Sequence, residues 1–212
     1  MFKPDQTVLF QGDSITDANR RRGRKGPNDP AALGHGYVFH TAAEILRRFP
    51  EMNLQIFDRG ISGDKVYQLA DRWEKDCLRL KPDVLSILVG VNDYCHVHFH
   101  GYGGTLAEYE NDYDVLLERT RAALPDIKLF LGEPFLLKAG NMTESHVEGI
   151  GAYREVARRI ADKHKAVWVP YQQVFNDALK LAPVEYWAPD GVHPTVAGHM
   201  LMSKAWLAAA DL

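Results

Sequence analysis

Cysteine is nearly missing from this chain: Cys77 and Cys95 are the only two in 212 residues. That is too few for a disulfide framework, and the two are not set in a metal-type pair. A strong charge of either sign is lacking as well. The formal net charge is −3, which argues against a general binder of nucleic acid or acidic membrane, since both call for a positive excess. No apolar run comes near the roughly 20 residues of a membrane helix. The opening Met1-Phe2-Lys3-Pro4-Asp5-Gln6 has no basic segment leading into an apolar one, so a cytoplasmic protein is expected. Phosphate loops, Gly-x-Gly-x-x-Gly fingerprints, internal repeats and low-complexity linkers are all absent. One domain over residues 1–212 is therefore expected.

What the chain does contain is short apolar runs alternating with amphipathic stretches. Residues 7–11, 53–57, 83–89, 127–131 and 166–169 read as strands. Apolar steps of three and four predict helices over 35–48, 65–80, 106–124, 144–164 and 172–181, with an alanine-rich helix closing the chain. The helix over 65–80 stops ahead of Pro82. The run at 83–89 is the most apolar, as suits the centre of a parallel sheet covered on both faces. Strands alternating with helices predict a doubly wound α/β fold, because parallel neighbours need crossover connections.

The first strand runs into Gly12-Asp13-Ser14. A serine nucleophile needs a base, an acid to orient it and donors for the developing oxyanion. Asp190-Gly191-Val192-His193 supplies a carboxylate three residues before an imidazole, and Gly60-Ile61-Ser62-Gly63 and Gly90-Val91-Asn92-Asp93 lie between. Each signal alone has a plain alternative. Ser14 also suits a helix cap, Asp93 an N-cap, Gly63 a backbone turn and His193 an exposed position. Their joint occurrence, three of them at expected strand ends, points to a serine hydrolase site. Ser62 lacks the Gly-x-Ser-x-Gly spacing of the α/β-hydrolase elbow.

These four segments, in this order, resemble the SGNH or GDSL family of serine hydrolases. The resemblance extends through residues 34–37, 72–76, 81–83 and 194–200. It implies a three-layer sandwich around a central five-stranded parallel sheet in the flavodoxin-like order 2-1-3-4-5. It further implies Ser14 as nucleophile, His193 as base and Asp190 as its acid. The oxyanion hole would comprise the amides of Ser14 and Gly63 and the side chain of Asn92, with no metal and no cofactor. Within the family the chain is similar to intracellular carbohydrate acetylesterases acting on xylan fragments. A homo-oligomeric esterase that removes O-acetyl groups from short acetylated oligosaccharides is thus expected. A lysophospholipase or thioesterase of the same family is the rival reading. A binding-only sugar protein fits less well, having no use for an activated serine.

Asp13, Tyr94 and Trp187 are the expected substrate contacts, Trp187 as a face for stacking a sugar ring. Tyr37, Trp73 and Tyr186 are further aromatic candidates, Trp73 being expected in the core. Asp58 stands where the family's second block often has Asn, which bears on the hydrogen bonding of the oxyanion loop. His96, His98 and His100 alternate without a matching carboxylate spacing, so they are expected to shape the acyl-site wall rather than to bind metal. Cys95 either lines the site or is inert packing. The basic cluster Arg20, Arg21, Arg22, Arg24 and Lys25 reads as a solvated loop or as a rim contact to a polar substrate or neighbouring subunit.

Overall fold

The computed structural model describes residues 2–212; Met1, which opens the expected domain and the N-terminal stretch, lies outside the described residues. The first half of the chain forms β1 (Thr7–Gly12), α1 (Ser14–Asp17), α2 (Tyr37–Arg48), β2 (Gln55–Asp58), α3 (Val66–Asp76), β3 (Val84–Leu88) and α4 (Val91–Phe99). The second half adds α5 (Leu106–Ala123), β4 (Lys128–Gly132), α6 (Glu144–Gly149), α7 (Gly151–Lys163), β5 (Val167–Val169), α8 (Tyr171–Ala178), α9 (Val184–Trp187) and α10 (Val196–Ala209). All five strands are parallel, in the order β2-β1-β3-β4-β5. One row of helices, α3, α5 and α7, packs side by side; a second row joins α2, α10 and α8.

Strand register explains the polar residue in the most buried strand. Phe10, Ser86 and Phe130 are cross-strand partners on β1, β3 and β4, so their side chains share one face. Trp206 of α10 covers that row, with its ring 5.3 Å from Phe10 and 4.7 Å from Phe130. Its indole Nε1–H donates to Ser86 Oγ at 3.0 Å, so the central serine is satisfied without water. In the α3–α5 layer, Trp73 Nε1–H likewise donates to Thr120 Oγ1 at 2.9 Å. Trp73 and Tyr37 are core residues, fully buried.

Three elements differ from the sequence expectation. The helix expected over 65–80 leaves α-geometry after Asp76 and finishes as a tighter turn, Leu78–Leu80. The single helix expected over 144–164 is two, broken between Gly149 and Gly151. Glycine is a poor helix former, and a Cβ on Gly149 would lie 2.3 Å from the Tyr94 hydroxyl. The third difference is α4 itself, in a stretch after Gly90 where no helix was expected.

Candidate active site

Every strand that feeds the site does so from its carboxyl end, the edge where open parallel sheets gather ligand groups. β1 delivers Ser14 as the first residue of α1. Gly12 makes this turn possible: it has φ +155°, and a Cβ there would lie 2.3 Å from the Leu88 carbonyl of β3. Asp13 caps α1, its Oδ1 accepting from the Ile15 amide at 3.0 Å. Ser14 Oγ lies 2.8 Å from His193 Nε2, and His193 Nδ1 lies 2.6 Å from Asp190 Oδ2. The other oxygen of Asp190 accepts from the amides of Val192 at 2.9 Å and His193 at 2.7 Å. Gly191 closes this turn with φ +83°, its carbonyl accepting from the Leu137 amide at 2.9 Å in the segment after β4.

The electrostatics suit a proton relay. Partial burial opposes ionisation of Asp190, but hydrogen bonds from the His193 ring and the two amides outweigh it and bring the carboxyl down to about 2. The same ring contact raises His193 above the ordinary histidine range, against the desolvation that would lower it. An ionised Asp190 holds the proton on Nδ1 and leaves Nε2 as the acceptor facing the serine hydroxyl.

The second and third blocks meet beside Ser14. Asn92 Nδ2 donates to the Asp64 carbonyl at 3.1 Å, which leaves its second N–H free for a ligand. Gly63 has φ +88°, and among the described residues neither its amide nor that of Ser14 donates to another backbone group. Side chains outside the triad and the oxyanion donors hold this loop in place. Asp17 Oδ2 accepts from the Ser62 amide at 2.9 Å, and Arg20 Nε donates to the Gly60 carbonyl at 2.8 Å. Asp58 Oδ1 accepts from the Gly60 amide at 2.7 Å, so the acid keeps the loop fastened; its complete burial pushes the carboxyl well up. Arg72 joins Asp64 (2.8 Å), the Arg59 carbonyl (2.8 Å) and Gln11 (2.9 Å). Asp58 has the part in the oxyanion loop that its place in the second block pointed to, whereas Asp17, Arg20 and Arg72 reach the loop from positions elsewhere in the sequence, which only the fold reveals.

The basic cluster therefore splits. Arg20 is buried under the loop and Arg22 binds Asp17 at the rim, while Arg21, Arg24 and Lys25 are exposed. Two clefts flank His193. One, of about 680 Å³, is lined by Ser14, Arg20, Arg22, His35, Ser62 and Val196 among others. The other, of about 480 Å³, runs along α4 past Asn92, Cys95, His96, Phe99 and His100 to Asn141 and Asp190.

The three expected substrate contacts are not at either cleft. Asp13 is completely buried as a helix cap, and burial lifts its carboxyl to about 7. Tyr94 is 6% exposed, packed between His98, Tyr153 and Gly149. Trp187 is 8% exposed and gives its Nε1–H to the Ala182 carbonyl, so the expected stacking face is turned into the core. Tyr186, its neighbour, is the exposed one. The histidine run is also corrected. On a helix, residues 96 and 100 share a face and line the cleft, whereas His98 turns to Tyr94. Among the described residues, no group of three or more His, Cys, Asp or Glu side chains is arranged to hold a metal ion. Cys95 lines the cleft, but burial pushes its thiol up to about 12, far from a thiolate.

Comparison with known proteins agrees with this geometry. The profile of the GDSL-like lipase/acylhydrolase family matches residues 10–201. An acetylxylan esterase of Geobacillus stearothermophilus is 35% identical over 209 residues, covering 95% of this chain and 92% of its own. The crystal structure of a protein assigned as a GDSL-like lipase, from Parabacteroides merdae ATCC 43184, superposes with a TM-score of 0.97 at 45% identity, covering 100% of this chain and 98% of its own. That of Axe2, an acetylxylan esterase from G. stearothermophilus, gives a TM-score of 0.89 at 33% identity, covering 99% of this chain and 96% of its own.

Proposed function

Because this chain belongs to the GDSL-like lipase/acylhydrolase family and is a carboxylic ester hydrolase, we propose that it removes O-acetyl groups from short acetylated oligosaccharides through an acyl-serine. The observation that carries the reading is the unbroken contact from Ser14 Oγ through His193 to Asp190. The acetylxylan esterases among its relatives support the acetyl group and the carbohydrate.

In this mechanism His193 Nε2 takes the Ser14 proton as Oγ bonds to the ester carbonyl carbon. The carbonyl π pair moves to oxygen, and the resulting anion is met by the amides of Ser14 and Gly63 and the free N–H of Asn92. One such donor is worth about a hundred- to a thousand-fold in rate. Collapse breaks the bond to the sugar oxygen, which receives the proton from His193. Water then attacks the acetyl-serine, giving its proton to His193, and Ser14 recovers a proton as acetate leaves. Asp13 acts as a positioning residue by capping the helix that starts at the nucleophile.

The proposal takes the whole chain as one catalytic domain, acting in the cytoplasm as a homo-oligomer without metal or cofactor. No helix among the described residues is long and apolar enough to cross a membrane. The test is initial hydrolysis rates on 4-nitrophenyl acetate, butyrate and octanoate for the wild type and Ser14→Ala. Acetate should be preferred and the variant should fall to the uncatalysed rate. A preference for octanoate would move the reading to lipid-type acyl chains, and equal rates from both proteins would end it.

A further inference from the structure

His96 stands one turn beyond Asn92 on α4, on the same face, so its backbone lies about 6 Å along the helix axis from that of the oxyanion donor. Its Nδ1 is 3.0 Å from Lys65 Nζ. Lys65 is only 6% exposed, which is unusual for a lysine. It is held by Gln68 Oε1 at 3.1 Å and lies over the rings of Tyr102 and Tyr67, at 4.9 and 5.7 Å. An ammonium can only donate, so Nδ1 must accept and the ring proton must sit on Nε2. Burial first, then the charge of Lys65 and the neighbouring His100, lower the tendency of His96 to take a second proton. The ring lines the cleft along α4, and no hydrogen bond within the described residues occupies Nε2.

We propose that His96, fixed by Lys65 as the Nε2–H tautomer, is a specificity-determining residue that donates a hydrogen bond to a sugar oxygen of the substrate. The inference rests on the carbohydrate reading above. With clefts on both sides of His193, an oligosaccharide acetylated on an inner ring lies across both, and the acetyl group drops between them to Ser14. The cleft along α4 is far larger than a two-carbon acyl group needs. It presents His96, His100, Asn141 and Asp190, the partners that a polyhydroxylated alcohol calls for.

The test measures kcat and KM on acetylated xylo-oligosaccharides and on 4-nitrophenyl acetate for the wild type, His96→Ala, His96→Gln and Lys65→Met, with thermal unfolding to verify folding. For His96→Ala, kcat/KM should fall at least fivefold more on the sugar ester than on the aryl ester, mainly through KM. His96→Gln, which restores an N–H donor, should recover most of that difference; Lys65→Met should lose part of it. Equal losses on both esters, or no recovery with Gln, overturn the inference while leaving the esterase reading intact. A wild type that turns over the aryl acetate but no acetylated oligosaccharide overturns the carbohydrate reading and this inference with it.

Discussion

Asp190 and Asp13 are both aspartates near the same serine, and their surroundings drive them in opposite directions. The hydrogen bonds to Asp190 keep it ionised down to about 2, while burial holds Asp13 protonated up to about 7. For Asp190 the consequence is kinetic. His193 must be neutral to accept the Ser14 proton, so kcat/KM should fall toward acid with unit slope below a midpoint above the ordinary histidine value. Asp190→Asn should move that midpoint down and cost about 10³- to 10⁴-fold in rate, read from a pH–rate profile on 4-nitrophenyl acetate. For Asp13 the consequence is one of stability. Between the ordinary carboxylate range and about 7, the folded state keeps a proton that the unfolded state has released, so stability declines as pH rises, by up to about 1.4 kcal/mol per unit. Asp13→Asn keeps the capping oxygen and removes the titration. Thermal unfolding of the variant across pH 4 to 7 should show a flatter dependence than the wild type.

At the scale of elements, α2 depends on a residue far away in sequence. Its N-cap is Gly36, which has no side chain to offer, and the Tyr37 amide instead donates to His199 Nδ1 at 3.1 Å. Burial, reinforced by His40 and His193, brings the His199 ring down to about 4, so it is neutral in the fold and able to accept. The unfolded chain takes up a proton on this histidine as pH drops below about 6.5, and the folded chain does not until about 4. Stability is therefore lost with falling pH across that window, the reverse of the Asp13 effect. His199→Ala should cost about 1 kcal/mol for the cap, more with the packing, and remove this acid-side loss. Equilibrium urea unfolding at pH 5 and pH 7 measures both. Helix α4 shows which elements the chain conceals. Its apolar positions make no strong stripe, and its first turn holds the turn formers Asn92 and Asp93. What fixes it is tertiary: Asn92 to the Asp64 carbonyl, and Asp93 Oδ1 accepting from the Val66 amide at 3.1 Å.

For the whole molecule, the alternation of strands and helices was legible in short β-branched runs and amphipathic stretches, while the strand order and the meeting of Ser14 with His193 followed from the resemblance that the four segments carry together. Side-chain destinations in loops were not legible. Trp187 and Tyr94 look the same in sequence whether they face a ligand or the core, and packing partners distant in sequence decide the matter. Arg20 and Arg72 were hidden for the same reason. The surface carries its own signal in Leu181 and Val196, 83% and 75% exposed, with Tyr186 and Met200 also uncovered. These are apolar groups of the kind that self-association covers. Light scattering should give a mass above that of one chain, and Leu181→Glu with Met200→Glu should lower it; a monomeric wild type would refute the homo-oligomer.

The contact between Ser14 and His193 closes a span of 179 residues. A ribosome therefore makes the nucleophile 179 residues ahead of its base. Until that base is in place the serine is chemically idle, as unreactive as any other hydroxyl. Catalytic competence waits on the Asp190–His193 turn, so hydrolysis itself certifies that the two ends of this span have both been made and have met.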